Sequence, residues 1–314
     1  MNKILIISSL ILILVITGCG TSTNNKNSAV GFIGGTDGLV PKIEIISSQL
    51  NQVLDNNVEN FQIALTLQNK GETTVKAGDV LTTLSGIDLN AFQIKEKDGT
   101  SKSQDQLEKL ARDGTKTLPP SETVIAYDAN YKYDEPADKT QEIGLNFCYK
   151  YETIASTDSC LVKEVTKPST ESKCKVDEQK VMGNSGAPVS VTSLTERPSG
   201  KSTVTFTLQI ENKGKGDVYS PEFFVKGKCI EDQETKNKFN VKVEFPDGNP
   251  KIKCVKFNEG NEGQLSMIQN KALLTCTADT SGLQETAFTK SLRVVLNYIY
   301  KDDISTKLTI RSTA

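Results

Sequence analysis

Alternation of hydrophobic and polar positions is the clearest pattern in the chain. Phe61, Ile63, Leu65 and Leu67 alternate with polar or small neighbours. Because side chains of a strand point to opposite faces with a period of two, this pattern predicts a strand with one buried face. An Asn-Lys-Gly turn is predicted at residues 69–71, where asparagine tolerates and glycine supplies a positive φ angle.

Shorter hydrophobic runs bounded by turn residues predict the other strands of this first part. They are residues 43–46, 80–84, 91–94 and 123–127, followed by a closing hairpin of residues 143–151 and 160–165. Their spacing is typical of a β-rich domain.

One helix is predicted between these strands. Ser103 and Gln106 form a capping-box pattern, and Leu107 and Leu110 fall on one helical face. Gly114 stands where a C-cap is expected. The pattern indicates a short helix that crosses the end of a sandwich.

The hydrophobic pattern then repeats. Residues 204–214 superpose on residues 61–71 at a constant offset, and both segments end in Asn-Lys-Gly. Later, Leu-Asn-Phe-Cys-Tyr-Lys at residues 145–150 matches Leu-Asn-Tyr-Ile-Tyr-Lys at residues 296–301. Two landmarks in the same order predict two copies of one domain.

Each copy has about seven short strands, which fits a Greek-key sandwich of the immunoglobulin (Ig) type. We therefore predict a mainly β chain with two tandem Ig-like β-sandwich domains, at residues 36–166 and 187–314. Residues 167–186 are rich in Pro, Ser, Thr and Gly and are predicted to be a linker.

The N-terminal residues predict export and lipid attachment. Lys3 precedes an apolar run from Ile4 to Ile16, which is shorter than the ~20 residues of a membrane-spanning helix. This predicts a signal peptide at residues 1–18, followed by a flexible tether at residues 19–35.

The end of this segment, Ile16-Thr17-Gly18-Cys19, resembles the lipobox of the lipoprotein family. The resemblance implies that lipid is attached to the Cys19 thiol and that the mature chain begins there. A doubly acylated cysteine would make the membrane anchor effectively permanent. The expected location is therefore the extracytoplasmic side of a membrane.

The cysteine count agrees with export. The chain has seven cysteines, and lipid on Cys19 leaves an even set for disulfides, namely Cys148, Cys160, Cys174, Cys229, Cys254 and Cys276. Six thiols allow 15 connectivities, among which sequence does not decide. The pairs guessed from spacing are Cys148–Cys160 across the predicted hairpin, Cys254–Cys276, and Cys174–Cys229.

Charge and composition exclude several classes of function. The net charge is -2 with both signs interspersed, so no basic face is expected to bind nucleic acid. The chain has no histidine, which excludes Ser-His-Asp and Cys-His catalysis and removes the commonest zinc, copper and haem ligand. We predict no enzymatic activity, no cofactor and no metal, with a carboxylate-based hydrolase as the remote alternative.

One acidic segment allows two interpretations, a calcium loop or a solvated turn. Asp128 and Asn130, with Asp134 and Glu135, place oxygen ligands close together. Tyr133 and Lys139 occupy the positions at which an EF-hand loop needs glycine and glutamate. A solvated turn is therefore the preferred interpretation.

Tyrosines are concentrated in the first copy. Exposed together, they would offer a binding surface for a glycan or a partner protein, whereas packing on the core is the preferred interpretation. The residues are Tyr127, Tyr131, Tyr133, Tyr149 and Tyr151.

Three further segments resemble a family of prokaryotic, specifically archaeal, surface lipoproteins with paired sandwiches. They are Gly35-Thr36-Asp37-Gly38-Leu39, Leu84-Ser85-Gly86-Ile87-Asp88, and the junction from Cys174 to Val189. The resemblance implies a location and adds no chemistry. We predict a lipid-anchored, non-enzymatic structural or adhesion module, with a solute- or glycan-binding accessory protein of a transporter or surface complex as the alternative.

Overall fold

The structure, a computed structural model, describes residues 31–164, 174–226, 229, 231–284 and 287–314. The predicted signal peptide, Cys19 and most of the predicted tether lie outside these residues.

The described chain consists mainly of β-strands. In chain order they are β1 (Leu39–Ile46), β2 (Gln52–Leu54), β3 (Asn60–Asn69), β4 (Val80–Ser85), β5 (Thr100–Lys102), β6 (Arg112–Asp113), β7 (Lys116–Thr117), β8 (Ser121–Asn130), β9 (Lys139–Val162), β10 (Glu178–Lys180), β11 (Gly183–Asn184), β12 (Val189–Ser199), β13 (Thr203–Asn212), β14 (Asp217–Tyr219), β15 (Lys238–Glu244), β16 (Ile252–Cys254), β17 (Glu262–Ser266), β18 (Lys271–Asp279) and β19 (Ala287–Arg311). Helical structure within the described residues is limited to 3₁₀ turns at Lys97–Gly99, Pro221–Lys226 and Val255–Phe257.

One large sheet is common to both halves of the chain. Its order is β17-β15-β19-β9-β4-β5, and β2, β11 and β14 pair with its two long strands. Strands β9 and β19 are antiparallel and pair from Lys139 and Ile310 at one end to Val162 and Ala287 at the other. At about 3.3 Å per residue, β9 extends for about 80 Å.

Two smaller sheets cover one face of this central sheet. Their orders are β1-β3-β8 in the first half and β10-β12-β13-β18-β16 in the second. Alternate side chains of β9, from Ile143 to Leu161, join buried side chains of both smaller sheets, such as Leu65 and Leu208, in one hydrophobic core. The predicted fold class, mainly β with two Ig-like sandwiches, is confirmed.

The two sandwiches exchange parts of their long strands. Strand β9 begins in the first sandwich, where residues 144–149 pair with β4, and ends in the second, where it pairs with β11. Strand β19 runs in the opposite direction, and its end pairs with β2 of the first half. Leu308 and Ile310 therefore carry side chains from the second half into the core beside Val53. Each sandwich is completed by a strand from the other copy.

The register of the long strands reveals a pseudo-two-fold axis. Tyr149 and Tyr300 correspond to each other in the repeat, and they are also directly paired across β9 and β19. Phe147 and Tyr298, which also correspond in the repeat, lie on opposite sides of this pair. The axis therefore passes between Tyr149 and Tyr300.

The hairpin predicted from residues 143–151 and 160–165 is wrong. Residues 139–162 form a single strand, because the polar segment between the two hydrophobic runs stays paired with β19. Two of the buried hydroxyl side chains there, those of Thr153 and Thr157, donate hydrogen bonds to backbone carbonyl oxygens. The Thr153 hydroxyl donates to the Val189 carbonyl oxygen over 2.7 Å, and the Thr157 hydroxyl to that of Val181 over 2.8 Å.

The predicted helix and the predicted strand at residues 91–94 are also wrong. Leu107 forms an isolated bridge with Val75 and is fully buried, whereas Gly114 lies in the turn between β6 and β7. Leu107 is the only hydrophobic side chain of residues 103–114 that is fully buried. A helix at this position would therefore lack an apolar face to pack on the core. Ala91 and Phe92 lie in a turn and place their side chains in the core.

The described part of the predicted linker, from residue 174 onward, belongs to the fold. Strand β10 pairs with β12, and β11 pairs with β9. The Ser185 N–H also donates to the Ile154 carbonyl oxygen over 2.8 Å. These hydrogen bonds make the segment an edge of both sheets of the second sandwich, which is why it is not a free linker.

The two Asn-Lys-Gly turns share one geometry, but the reason predicted for their glycines is wrong. The Asn69 and Asn212 side-chain oxygens accept the Gly71 and Gly214 N–H groups over 3.2 and 3.1 Å. Neither glycine has a positive φ angle. A Cβ atom would instead lie 1.9 Å from the Tyr151 hydroxyl at Gly71 and 2.0 Å from the Tyr300 hydroxyl at Gly214. Glycine is needed because a tyrosine packs against the turn.

Candidate functional site

Four of the five tyrosines predicted as a possible binding surface are buried. Tyr127, Tyr131, Tyr149 and Tyr151 belong to the hydrophobic core, while Tyr133 is 45% exposed. Tyr127 on β8 and Tyr149 and Tyr151 on β9 occupy alternate, inward-facing positions, so their rings pack between the two layers of the sandwich. The prediction of an exposed binding surface is therefore wrong for these four tyrosines, and core packing is the correct interpretation.

The buried tyrosine hydroxyls have local partners. The Leu39 N–H donates to the Tyr149 hydroxyl over 3.1 Å, and the Tyr127 hydroxyl lies 2.6 Å from the Thr82 hydroxyl. Burial raises the pKa of Tyr127 to about 12 and that of Tyr149 well above its ordinary value. These groups stay neutral under ordinary conditions and act in packing.

All six cysteines expected to form disulfides are paired. The disulfides are Cys148–Cys229, Cys160–Cys174 and Cys254–Cys276. The guessed Cys254–Cys276 pair is confirmed, because these residues are directly opposite each other in β16 and β18.

The guessed pairs Cys148–Cys160 and Cys174–Cys229 are wrong. Cys148 and Cys160 lie on one continuous strand, about 40 Å apart at the usual rise. Cys148 instead bonds to Cys229 and so joins the two halves, whereas Cys160 bonds to Cys174. Disulfides of this kind indicate an oxidising, extracytoplasmic compartment.

Two of the four residues considered as a calcium loop, Asp128 and Glu135, are engaged elsewhere. The Asp128 carboxylate accepts the Gln62 side-chain amide over 2.8 Å. The Glu135 carboxylate accepts from the Tyr131 hydroxyl and from Lys139. Within the described ranges, no group of three or more Cys, Asp or Glu side chains could hold a metal ion.

A groove of about 680 Å³, here called the junction groove, lies between the two sandwiches. Ile154, Ser156 and Arg293 belong to β9 and β19 and point to the face of the central sheet opposite the main core. Its other lining residues are Gly31, Phe32, Ile33, Glu72, Lys109, Leu110, Ala111, Arg112, Ser185, Pro246 and Ser291. Segments from both halves thus meet around one opening.

One wall of the junction groove is held in place by Glu72. Its carboxylate accepts the N–H groups of Ile33, Gly34 and Gly186 over 2.9, 2.8 and 2.7 Å. Gly186 is required here, because a Cβ atom would lie 2.8 Å from the Gly34 carbonyl oxygen. Both oxygens of Glu72 are therefore occupied by backbone donors.

The junction groove contains three cationic side chains and one carboxylate. Lys109, Arg112 and Arg293 form no ion pair or side-chain hydrogen bond with any described residue. Two of the four arginines in the chain line this one groove. Its charge is therefore positive in a protein whose net charge is -2.

Two polar atoms on the floor of the groove are buried without a hydrogen-bond partner. They are the Ser156 Oγ and the Arg293 Nε. Ser156 is 2% exposed, and it is the direct cross-strand partner of Arg293. Most buried polar atoms in folded proteins are paired, so two unpaired atoms side by side under one groove require an explanation.

The junction groove was not predicted from the sequence. Lys109 lies in the segment for which the sequence predicts a helix, and no pattern in the sequence distinguishes Arg293. No local motif could have identified the site, because its floor depends on the register between β9 and β19. The one available signal was the scarcity of arginine in a lysine-rich chain.

A search of protein-family models found no match, and neither did a search of curated proteins. Among solved structures, the chain is similar at 12% identity and a TM-score of 0.19 to the secreted serine protease VesC from Vibrio cholerae, covering 84% of this chain and 51% of that one. It is similar at 10% identity and a TM-score of 0.22 to BcpA, the major pilin subunit of Bacillus cereus, covering 77% and 56%.

A third similarity, at 12% identity and a TM-score of 0.18, is to the serine-rich repeat adhesion glycoprotein Srr1 from Streptococcus agalactiae, covering 87% of this chain and 96% of that one. The chain spans about half the length of the first two proteins. At TM-scores this low, these similarities carry no argument about function.

Helices long and apolar enough to cross a membrane were not found among the described residues.

Proposed function

We propose that this protein is a lipid-anchored, non-enzymatic module of the extracytoplasmic surface, in which a tether places a rigid β body away from the membrane. The lipobox ending at Cys19 supports the anchor. The set of three disulfides is the observation that carries the location, because such bonds persist in oxidising compartments.

The shared central sheet supports a structural or adhesive role. Because β9 and β19 cross both sandwiches, the two halves are joined by paired strands as well as by a disulfide. Relative motion of the two sandwiches would break these backbone hydrogen bonds. A body of this kind suits a spacer or a platform for exposed loops.

The anchor is tested by expressing the full chain and a Cys19→Ser variant in a prokaryotic host that processes lipoproteins. The wild-type protein is expected in the membrane fraction, with the mass of an acylated N-terminal cysteine. The variant is expected to lack that mass and to leave the membrane fraction. A cytosolic wild-type protein with an intact, unlipidated N-terminus would refute the proposal.

A second candidate function is binding of a solute, as in an accessory protein of a transporter or surface complex. The tyrosine cluster no longer supports this function, because four of its members are buried. The junction groove supports it instead, because its volume lies within the range of about 300–1,000 Å³ that is common for small-molecule sites.

A further inference from the structure

We propose that the junction groove binds a small organic anion, a molecule with one carboxylate or phosphate group and a short apolar body. This inference deepens the second candidate function and rests on it, but it does not depend on the lipid anchor.

The cationic side chains define the charge of the ligand. Lys109, Arg112 and Arg293 enter the groove without ionic partners among the described residues, and Glu72 already accepts three backbone N–H groups. Guanidinium groups match carboxylate and phosphate oxygens with several donors in a fixed plane. A cationic ligand would meet three like charges and no free carboxylate.

The floor of the groove places the anionic group. Ser156 and Arg293 are cross-strand neighbours, and each has a buried polar atom without a partner. A small rotation of the Ser156 and Arg293 side chains toward the groove would let an oxygen of a carboxylate or phosphate accept one hydrogen bond from the hydroxyl and one from Nε. The two unsatisfied donors would then be satisfied by one group.

The walls explain the apolar body. Phe32, Leu110, Ile154 and Pro246 line the same opening as the cations. Small-molecule sites commonly combine an apolar lining with a few polar groups that fix the orientation of the ligand. The volume suits a molecule larger than a bare inorganic anion.

The test uses the full chain in detergent, with unfolding followed by thermal shift and affinity by calorimetry. The probes are phenyl phosphate, phenylacetate, inorganic phosphate, benzyl alcohol and benzylamine. At least one of the two aromatic anions is expected to raise the melting temperature and to bind more tightly than inorganic phosphate, the neutral alcohol or the cationic amine. A comparable response to all probes, or none to either aromatic anion, would overturn the proposal.

Arg293→Ala is the decisive variant, and Lys307→Ala is its matched control. Lys307 belongs to the cross-strand pair that corresponds in the repeat to Ser156 and Arg293, but it is exposed and lies outside the groove. Arg293→Ala is expected to weaken binding of the aromatic anion at least about tenfold. Lys307→Ala is expected to leave it unchanged. Equal effects of the two variants would show nonspecific attraction and refute the site.

Arg293→Lys and Ser156→Ala guard against a folding defect. Both are compared with the wild type by their melting temperature without ligand. Arg293→Lys should retain part of the affinity because it keeps the charge, and Ser156→Ala should weaken binding a few-fold. Full affinity in both Arg293→Ala and Ser156→Ala would place the ligand elsewhere and overturn the proposal. If the groove binds no anion, the proposal of a lipid anchor is unaffected. That proposal is tested separately, by the membrane fraction and the mass of the wild type and of the Cys19→Ser variant.

Discussion

Two cross-strand pairs of the central sheet occupy equivalent positions in the repeat but differ in their side chains, their burial and their hydrogen bonds. The pseudo-two-fold axis relates the pair Ser156 and Arg293 to the pair Lys307 and Glu142, and both pairs are cross-strand neighbours in β9 and β19. At the first place a cation and a hydroxyl have buried atoms without partners. At the second, the exposed Glu142 carboxylate accepts the Ser305 hydroxyl over 2.7 Å.

The difference comes from the segments that cover the sheet. Residues 31–33 and 109–112 wall the first place, and Glu72 holds the former. At the second place, Glu142 lines a smaller opening of about 290 Å³, and the residues around that opening include neither arginine nor lysine. A duplicated frame therefore supplies two equivalent positions, and divergence of covering loops and side chains turned only one of them into a candidate site.

The frame itself is the feature whose disruption has the largest expected effect. Fragments 31–164 and 174–314 separate the two copies and leave each without the long strand of the other. We expect neither fragment alone to show a cooperative unfolding transition or a near-ultraviolet dichroism spectrum, because paired backbone groups and core side chains such as Leu308 would be exposed.

The first fragment carries Cys148→Ala and Cys160→Ala, and the second carries Cys174→Ala and Cys229→Ala, because both disulfides link the two fragments. The intact chain with all four substitutions is the control for the two missing disulfides. Mixing the fragments is expected to restore the transition. A cooperative transition of either fragment by itself would show that the sandwiches fold independently and that strand exchange is dispensable.

Strand exchange also marks the limit of what could be predicted from the sequence. The repeat and the fold class followed from alternation in β3 and β13, because one face of each strand is fully buried and the other is mostly only half-buried. The continuity of β9 did not follow, because Thr153, Thr157 and Ser159 are polar and their burial depends on a partner strand far along the chain. The groove depends on the same long-range register.

The disulfides offer the next comparison. Cys148–Cys229 joins the two copies across 81 residues, whereas Cys254–Cys276 lies within one sheet and closes 22 residues. In the chain-entropy account these loops correspond to about 4.5 and about 3.4 kcal/mol of stabilisation. The double alanine variant of the first pair is therefore expected to be the less stable.

Urea denaturation of the two double variants, beside the wild type, measures this difference. Alanine at both positions of each pair keeps the comparison matched, because all four cysteines are buried. A second variant that lost more stability than the first would show that local strain or packing outweighs the entropy of loop closure.

A buried carboxylate distinguishes the two copies by its response to pH. Glu196 in β12 is fully buried, and the register places it where β1 has Ile45. Burial raises the pKa of Glu196 from 4.5 to about 7, although the Cys160 N–H and Lys180, 3.7 Å away, favour the charged form. The folded state therefore binds a proton between these two values that the unfolded state releases.

Because the folded state binds more protons, the free energy of unfolding should fall as the pH rises from 4.5 to about 7 and then level off for this group. Glu196→Gln should remove this part of the slope, as measured by urea denaturation across the interval. The control is Glu44→Gln, an exposed carboxylate on the corresponding strand β1. An unchanged slope in Glu196→Gln would show that this carboxyl group titrates alike in both states.

The smallest expected effect separates two serines within the junction groove itself. The Ser185 hydroxyl oxygen accepts the Ile154 N–H over 3.0 Å, whereas the Ser156 hydroxyl has no partner. Removing a made hydrogen bond leaves a buried N–H unsatisfied, so Ser185→Ala should cost about 1 kcal/mol of unfolding free energy. Ser156→Ala removes a buried hydroxyl that forms no hydrogen bond, so this substitution should be neutral or slightly stabilising.

Chemical denaturation of both variants without ligand decides between a structural and a binding role for Ser156. A stability equal to or above that of the wild type, together with weaker binding of the aromatic anion, would mean that the hydroxyl is retained at that position for the ligand. A loss as large as that of Ser185→Ala would instead mean that Ser156 already has a partner that stabilises the fold. In that case the floor of the groove would offer the anion one donor, from Arg293, instead of two.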